Sequence, residues 1–344
     1  SKKTGESHAG WYVLIGICAA VPCLMVLVLL LMSADMVFAD LLVRFAGVFR
    51  FPVKLFRILL MLVFGFLSSY CGVRYVQKHA ADIKPSAGKT AEPLIAIAFT
   101  APIAVLYLLF SAIQIVYLFI GNMQLPVGVT YAEYARRGFF QLLFVCVLNL
   151  AAVLSIQNYF KENRVLKALL LTISGCTLVM TASSACRMLL YIRAYQLTFL
   201  RVSVLVALAV IALLMAGVIA KIVKPQFPLF RYGFVLAGTV YLVFAFSHVD
   251  YFIAAYNLTH TSWEASGEET VDYSYLYTLS TDAAPAIEKY AGKSGVADYR
   301  TQGWYRLYCE ANEAALNGTG VRTYNVSHAV AKQLLMEDNR EKAG

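Results

Sequence analysis

Seven stretches of this chain are long and apolar enough to cross a lipid bilayer, and that limits everything else it can fold into. They cover residues 10–32, 55–76, 93–120, 139–158, 166–192, 202–222 and 232–250. A helix needs about 20 mostly apolar residues to cross about 30 Å of hydrocarbon. Four of the stretches, at 10–32, 93–120, 139–158 and 202–220, carry no charge in their cores. The expected fold class is all-α, a polytopic transmembrane helix bundle of about seven spans with a small helical C-terminal domain. Composition removes the alternatives. The chain is 60% hydrophobic and 14% charged, against about 45–50% and about 25% in soluble globular domains. It is too apolar to be disordered. Seven cysteines in 344 residues do not make a disulfide scaffold.

Several local features qualify the span count. Pro102 lies in the long stretch 93–120, which is expected to tilt or kink. Segment 33–54 carries Asp35, Asp40, Arg44, Arg50 and Lys54. It reads either as an interfacial or re-entrant element or as a plain loop. The first apolar run is 23 residues long, against about 7–15 for the core of a signal peptide, so it reads as an anchor. The chain opens with Ser1, which leaves room for further spans upstream.

Loop charge orients the bundle. One side holds Lys2, Lys3, Arg74, Lys78, Lys84, Lys89, Lys161, Arg164, Lys167, Lys221, Lys224 and Arg231, which is 12. The other holds Arg44, Arg50, Lys54, Arg57, Arg136, Arg137, Arg193 and Arg201, which is 8. The positive-inside rule then puts the N-terminus inside and the C-terminal domain outside. Residues 251–344 hold 8 Lys+Arg and 12 Asp+Glu, net −4, while residues 1–250 hold 21 and 8, net +13. The overall +9 is therefore a membrane-flank signal, not a nucleic-acid footprint. Loop 77–92 would sit near anionic lipid heads.

The expected organisation is an inside flank over 1–9, a bundle over 10–250 and a soluble helical domain over 251–344, probed by its own cap signals. Thr281 or Asp282 is suited to cap a helix through Tyr290, with Gly292 beyond it. A second helix spans about 304–316 and a third about 327–341, with Ser327 as N-cap. Trp263 and Trp304 read as interfacial or packing anchors. Six cysteines, at 18, 23, 71, 146, 176 and 186, fall in spans and act as small apolar residues. Only Cys309 lies in the tail, so nothing marks an oxidising compartment. Sequons at Asn257, Asn317 and Asn325 carry little weight.

Polar residues collect at the span ends assigned to the outer side. Asp35 and Asp40 follow the first span; Tyr131, Glu133, Tyr134, Arg136 and Arg137 follow the third. Arg187, Tyr191 and Arg193 end the fifth; Asp250, Tyr256 and Asn257 end the seventh. Asp35, Glu133 and Asp250 are the candidate acids or bases of an enzyme. Arg136, Arg137, Arg187, Tyr191, Arg193 and Asn257 are the candidate ligand-binding residues, with arginine suited to phosphate or carboxylate. Each has a structural alternative. Arg187 lies about one turn inside the boundary, where it is expected to snorkel or to pair with Asp35, Glu133 or Asp250. Thr130 with Glu133 resembles a capping box, and Glu133 with Arg137 is a helical i,i+4 pair. Asp35 and Asp250 together could serve as a carboxylate pair, in acid/base work or in holding a cation, but a lone carboxylate at a span end is more often an interfacial cap. His248 reads as a buried neutral histidine, since no second His or Cys has ligand spacing. No metal and no cofactor is implied.

Six ordered segments resemble a known family: SADMVFADLL, TYAEYARRGFFQLL, MLLYIRAYQLTFLRV, HVDYFIAAYNL, YLYTLSTDAAPAI and VRTYNVSHAVAKQLL. They are similar to successive signatures of a bacterial polytopic membrane family defined only as a domain of unknown function, over about 33–335. Members often carry extra N-terminal spans, which this chain lacks. An Asn-Pro-Asp often precedes the YNL-like motif; here Ser247-His248-Val249-Asp250 stands there, so only Asp250 carries over. The resemblance implies a bacterial inner membrane and no established activity.

Phosphate-loop, dinucleotide, zinc-protease and serine-hydrolase motifs are missing from the sequence. Three readings remain, in this order. The first is a non-enzymatic sensor, scaffold or accessory subunit that binds lipid or another membrane or envelope protein at its outer face. The second is an envelope enzyme acting on a lipid-linked or glycan substrate at the outer leaflet. The third is a transporter component, with a water path near Asn149, Gln114 or Ser174.

Overall fold

The computed structural model describes residues 3–46, 91–116, 139–260, 262–263, 269–270, 273–291, 302–316 and 325–341. Among the described residues the first seven helices are α1 (Lys3–Ala34), α2 (Met36–Ala46), α3 (Pro93–Gln114), α4 (Phe139–Tyr159), α5 (Arg164–Tyr195), α6 (Phe199–Val223) and α7 (Leu229–Phe246). There follow α8 (Val249–Thr259), the strands β1 (Ser262–Trp263) and β2 (Glu269–Thr270), and α9 (Tyr273–Leu276). A 3-10 turn (Thr281–Ala283) leads into α10 (Ala284–Tyr290), and α11 (Gly303–Leu316) and α12 (Val326–Glu341) close the chain. The strands form one antiparallel pair of two residues each, too short to show an alternating pattern in sequence.

Among the described residues six helices are long and apolar enough to cross a membrane: Ala9–Ala34 within α1, and α3 to α7. The protein is an all-α, multi-pass membrane helix bundle. The expected span at 55–76 lies outside the described residues. The expected span at 232–250 ends early: α7 stops at Phe246, and His248 has φ 47°, in the left-handed region. No regular helix runs through such a residue, so the chain restarts as α8. Segment 33–54 contributes α2, whose Asp40 and Arg44 pair at 2.8 Å on an exposed face.

The chain forms two compact units. The first takes in 1–129, 137–185 and 211–233. Its helix directions follow from its contacts. Gly16 meets Ala98 and Asp35 meets Gln114, so α1 and α3 run the same way. Tyr107 meets Asn149 and Ala91 bridges Phe160, so α4 runs against α3. Asn149 meets Thr177 and Cys146 meets Thr181, so α5 runs against α4. Lys167 reaches Val223 at 3.4 Å, so α6 runs against α5. Leu31, Phe38, Phe110, Leu142, Met180 and Met215 are fully buried at its core, and Phe38 meets Phe110 edge-on at 5.1 Å between centroids.

Apolar helices gain little from burial against each other in lipid, so close backbone approach and van der Waals contact carry the association. At Gly16 the backbone of α1 closely approaches α3. A methyl carbon there would lie 2.6 Å from Ile95 O and 2.6 Å from Ala98 Cβ. The first of these is backbone and cannot turn aside. Gly16→Ala is expected to cost about 1–3 kcal/mol, the range for overpacking a tight core. Thermal unfolding of the detergent-purified protein measures it. An unchanged midpoint would show that α1 and α3 do not need this approach.

The second unit takes in 130–136, 186–210 and 234–344. Ile253, Leu276, Ile287, Tyr308 and Ala331 form its centre, each at most 1% exposed. Trp304 packs here and stacks on Tyr273 at 5.3 Å; the side chain of Trp263 lies outside the described set. Tyr308 donates its hydroxyl to Ser280 O at 2.9 Å, and burial holds its phenol pKa above the ordinary range. Two caps differ from expectation. Thr281 and Asp282 lie inside the 3-10 turn and cap no helix. Asn325, not Ser327, caps α12: its Oδ1 accepts from Ser327 N at 2.9 Å. Asparagine has the longer reach for this bond, and its acceptor stands the required two residues back.

Candidate functional site

In the first unit the polar side chains form two chains of hydrogen bonds. Asp35 stands between α1 and α2, only 3% exposed. Its Oδ1 accepts from Phe38 N at 2.9 Å, which is N-cap geometry for α2. Its Oδ2 accepts from Gln114 Nε2 at 2.8 Å, and Gln114 Oε1 accepts from Ser183 Oγ at 2.6 Å. One buried amide thus ties the start of α2 to α3 and α5. Deeper along the same helices, Tyr107 donates its hydroxyl to Asn149 Oδ1 at 2.6 Å, and Asn149 Nδ2 donates to Thr177 Oγ1 at 2.9 Å. Thr177 Oγ1 donates to Ile173 O at 2.8 Å and closes that chain on backbone. Asn149, Gln114 and Ser174, marked in sequence as flanking a water path, are 4%, 1% and 0% exposed.

In the second unit Asn257 is 1% exposed and grips one residue twice. Its Oδ1 accepts from Leu197 N at 2.8 Å and its Nδ2 donates to Leu197 O at 2.9 Å. Gln196 Nε2 donates to Asn257 O at 3.2 Å and His260 O at 2.8 Å. Gln196 has φ 62°, so the turn that ends α5 depends on these bonds to hold a left-handed residue in place. The guanidinium of Arg201 lies 4.4 Å from the centroid of Tyr191 and donates to Tyr195 O and Gln196 O on the same turn. Tyr191 is half-buried and Arg193 exposed.

Asp250 holds the next junction. Its Oδ2 accepts from Ser280 N at 3.1 Å and Ser280 Oγ at 2.6 Å, which joins α8 to the residue before the 3-10 turn. Beside it a cleft of about 720 Å³ opens among the α7 end, α8, the 3-10 turn, α10 and α12. Phe246, Phe252, Pro285 and Val330 supply apolar walls, with His248 and Asp282 among the polar groups. His248 Nδ1 lies 3.4 Å from Asp282 Oδ2, and its side chain is 60% exposed. The expectation of a buried histidine is thereby corrected. The left-handed backbone at 248 breaks the span and turns this side chain out of the helix stack.

Arg187 is 1% exposed, among the largest fully buried side chains. It is buried rather than snorkelling, as its place one turn inside the boundary had allowed. Glu133, Arg136 and Arg137 lie outside the described residues. The cleft was not visible in sequence, because its walls come from five separate segments of ordinary apolar residues.

A family model described as Domain of unknown function (DUF4153) matches residues 1–290. No curated protein and no solved structure matches the chain.

Proposed function

The chain belongs to this family of unknown function, and we propose that it is a non-enzymatic sensor or accessory subunit of the bacterial inner membrane. On this reading its N-terminus is inside, and its outer-side cleft takes an apolar group of a lipid or of a partner membrane or envelope protein. The cleft at the junction of α7 and α8 carries the proposal. It is lined by Phe246, Phe252 and Val330, which are 77%, 60% and 41% exposed. A concave apolar surface of this kind suits an acyl chain or the apolar face of a partner. Asp250 and Asp35, the carboxylates an enzyme would draw on, are engaged in holding helix starts. The Lys and Arg count, 12 against 8, supports the orientation.

Val330→Asp places a charge on the α12 wall of the cleft. Capture of the bound lipid or protein from native membranes is expected to fall by about tenfold, which is about 1.4 kcal/mol. The unfolding midpoint should hold, because Val330 is already partly exposed. Quantitative mass spectrometry of affinity-purified wild type and variant reads both classes at once. Recovery of both proteins as bare monomers, with no lipid or protein enriched on the wild type, would sink the reading.

A further inference from the structure

A second cleft, of about 520 Å³, lies wholly within the first unit. It is framed by the end of α4, residues 160–163, the first two turns of α5 and the end of α6. Ile156, Leu166, Leu170 and Ile222 make an apolar floor, all buried. Lys161, Arg164, Lys167 and Lys221 stand around it, with Glu162 as the one carboxylate in the lining. Lys161 pairs with Glu92. Lys167 and Lys221 meet only the carbonyls of Val223 and Pro225 among the described residues. An ammonium has three donors and a guanidinium five, so most donors on this rim have no carboxylate to meet.

We propose that this cleft binds the phosphate of an anionic phospholipid headgroup, with Arg164, Lys167 and Lys221 as its clamp. Three observations converge on that ligand. The charge is one-sided: three cations around an apolar floor have no carboxylate partner among the described residues. The first turn of α5 begins here; Asn163 Oδ1 accepts from Val165 N at 2.8 Å and Leu166 N at 3.4 Å, and the positive end of the helix dipole still favours an anion beside the rim. The neighbouring surface is apolar and outward: Tyr159, Val165 and Val223 are 59%, 55% and 50% exposed. Acyl chains fit that surface while the phosphate meets the rim. Basic pockets between transmembrane helices on the inner side take anionic headgroups in this way, and the loop-charge count puts this end of the helices inside. Arginine grips phosphate through two parallel bonds, and the lysines add point charge.

The test uses the full chain in detergent. Native mass spectrometry compares retention of added phosphatidylglycerol, phosphatidylcholine and inorganic phosphate by wild type and by the triple variant Arg164→Gln, Lys167→Gln, Lys221→Gln. The wild type is expected to prefer phosphatidylglycerol to phosphatidylcholine by about tenfold or more, since each basic residue near an anionic surface contributes roughly fivefold. The triple variant is expected to lose that preference. Saturable retention of inorganic phosphate that equals that of phosphatidylglycerol supports the clamp but assigns its source to free phosphate. Equal retention of the two lipids by wild type overturns the proposal without any variant. So does a triple variant that folds, by circular dichroism, and keeps the full preference. Neither outcome touches the apolar cleft of the second unit, so the two readings fail separately.

Discussion

Asn257→Leu is expected to destabilise the protein by about 2–4 kcal/mol and to loosen the turn at residues 196–198. Leucine keeps the volume but removes both halves of the grip on Leu197. Leu197 N and O would then lose their partner in a place the packed Asn257 side chain now closes, at 1% exposure. Each stranded polar group costs about 1–3 kcal/mol. The loss spreads, because Gln196 sits at φ 62° and is held there by bonds to Asn257 O and His260 O. Asn257→Asp is expected to cost at least as much at neutral pH, since it keeps an acceptor for Leu197 N but turns a buried carboxylate oxygen on Leu197 O. Thermal unfolding in detergent gives the magnitude, and hydrogen exchange over 196–198 gives the place. A residue whose task was to hold a ligand would leave both unchanged in the ligand-free protein. An Asn257→Leu variant within about 0.5 kcal/mol of wild type, the usual scatter of surface changes, would return Asn257 to the list of binding candidates.

Asn257 also shows how far the residues can be read before the fold is known. The spans were legible because they rest on one property, a run of apolar residues about 20 long, and the helices α1 and α3 to α7 answer to it. Their ends were less so. Nothing in AFSHVDYF announces that His248 takes a left-handed backbone and splits the seventh stretch into α7 and α8. Only the packing of the second unit requires that break. The polar residues were legible as exceptions in apolar runs, but their partners were not. Asp35, Gln114 and Ser183 are separated by 79 and 69 residues along the chain, and periodicity says nothing about which turns of three helices share a level. Asp250 was visible as a lone carboxylate at a span end; that it caps Ser280 depends on a loop 30 residues on. Local chemistry thus predicted which residues are unusual, and tertiary register decided what each one does.

That register is where the second large effect is expected. Asp35→Leu should cost about 2–4 kcal/mol, more than any single change at the exposed face of α2. It removes the cap on Phe38 N and the acceptor of Gln114 Nε2 together, and both donors are then left where water does not reach. Asp35 is 3% exposed and Gln114 is 1% exposed, so relaxation toward solvent is not open to either. Asp35→Asn should cost less, because the chain can invert. An asparagine that keeps its oxygen on Phe38 N presents an amide to Gln114. Gln114 can turn its own amide end for end, and the Ser183 hydroxyl can change from donor to acceptor. No such inversion rescues leucine. A double-mutant cycle with Gln114→Leu separates the two halves of the loss. The pair is expected to couple by about 0.5–3 kcal/mol, since residues in one hydrogen-bond network are not additive. Simple additivity of Asp35→Leu and Gln114→Leu, measured by denaturation in detergent, would mean that the Asp35 carboxyl serves α2 alone and that α3 is held to it by packing of Phe110 on Phe38.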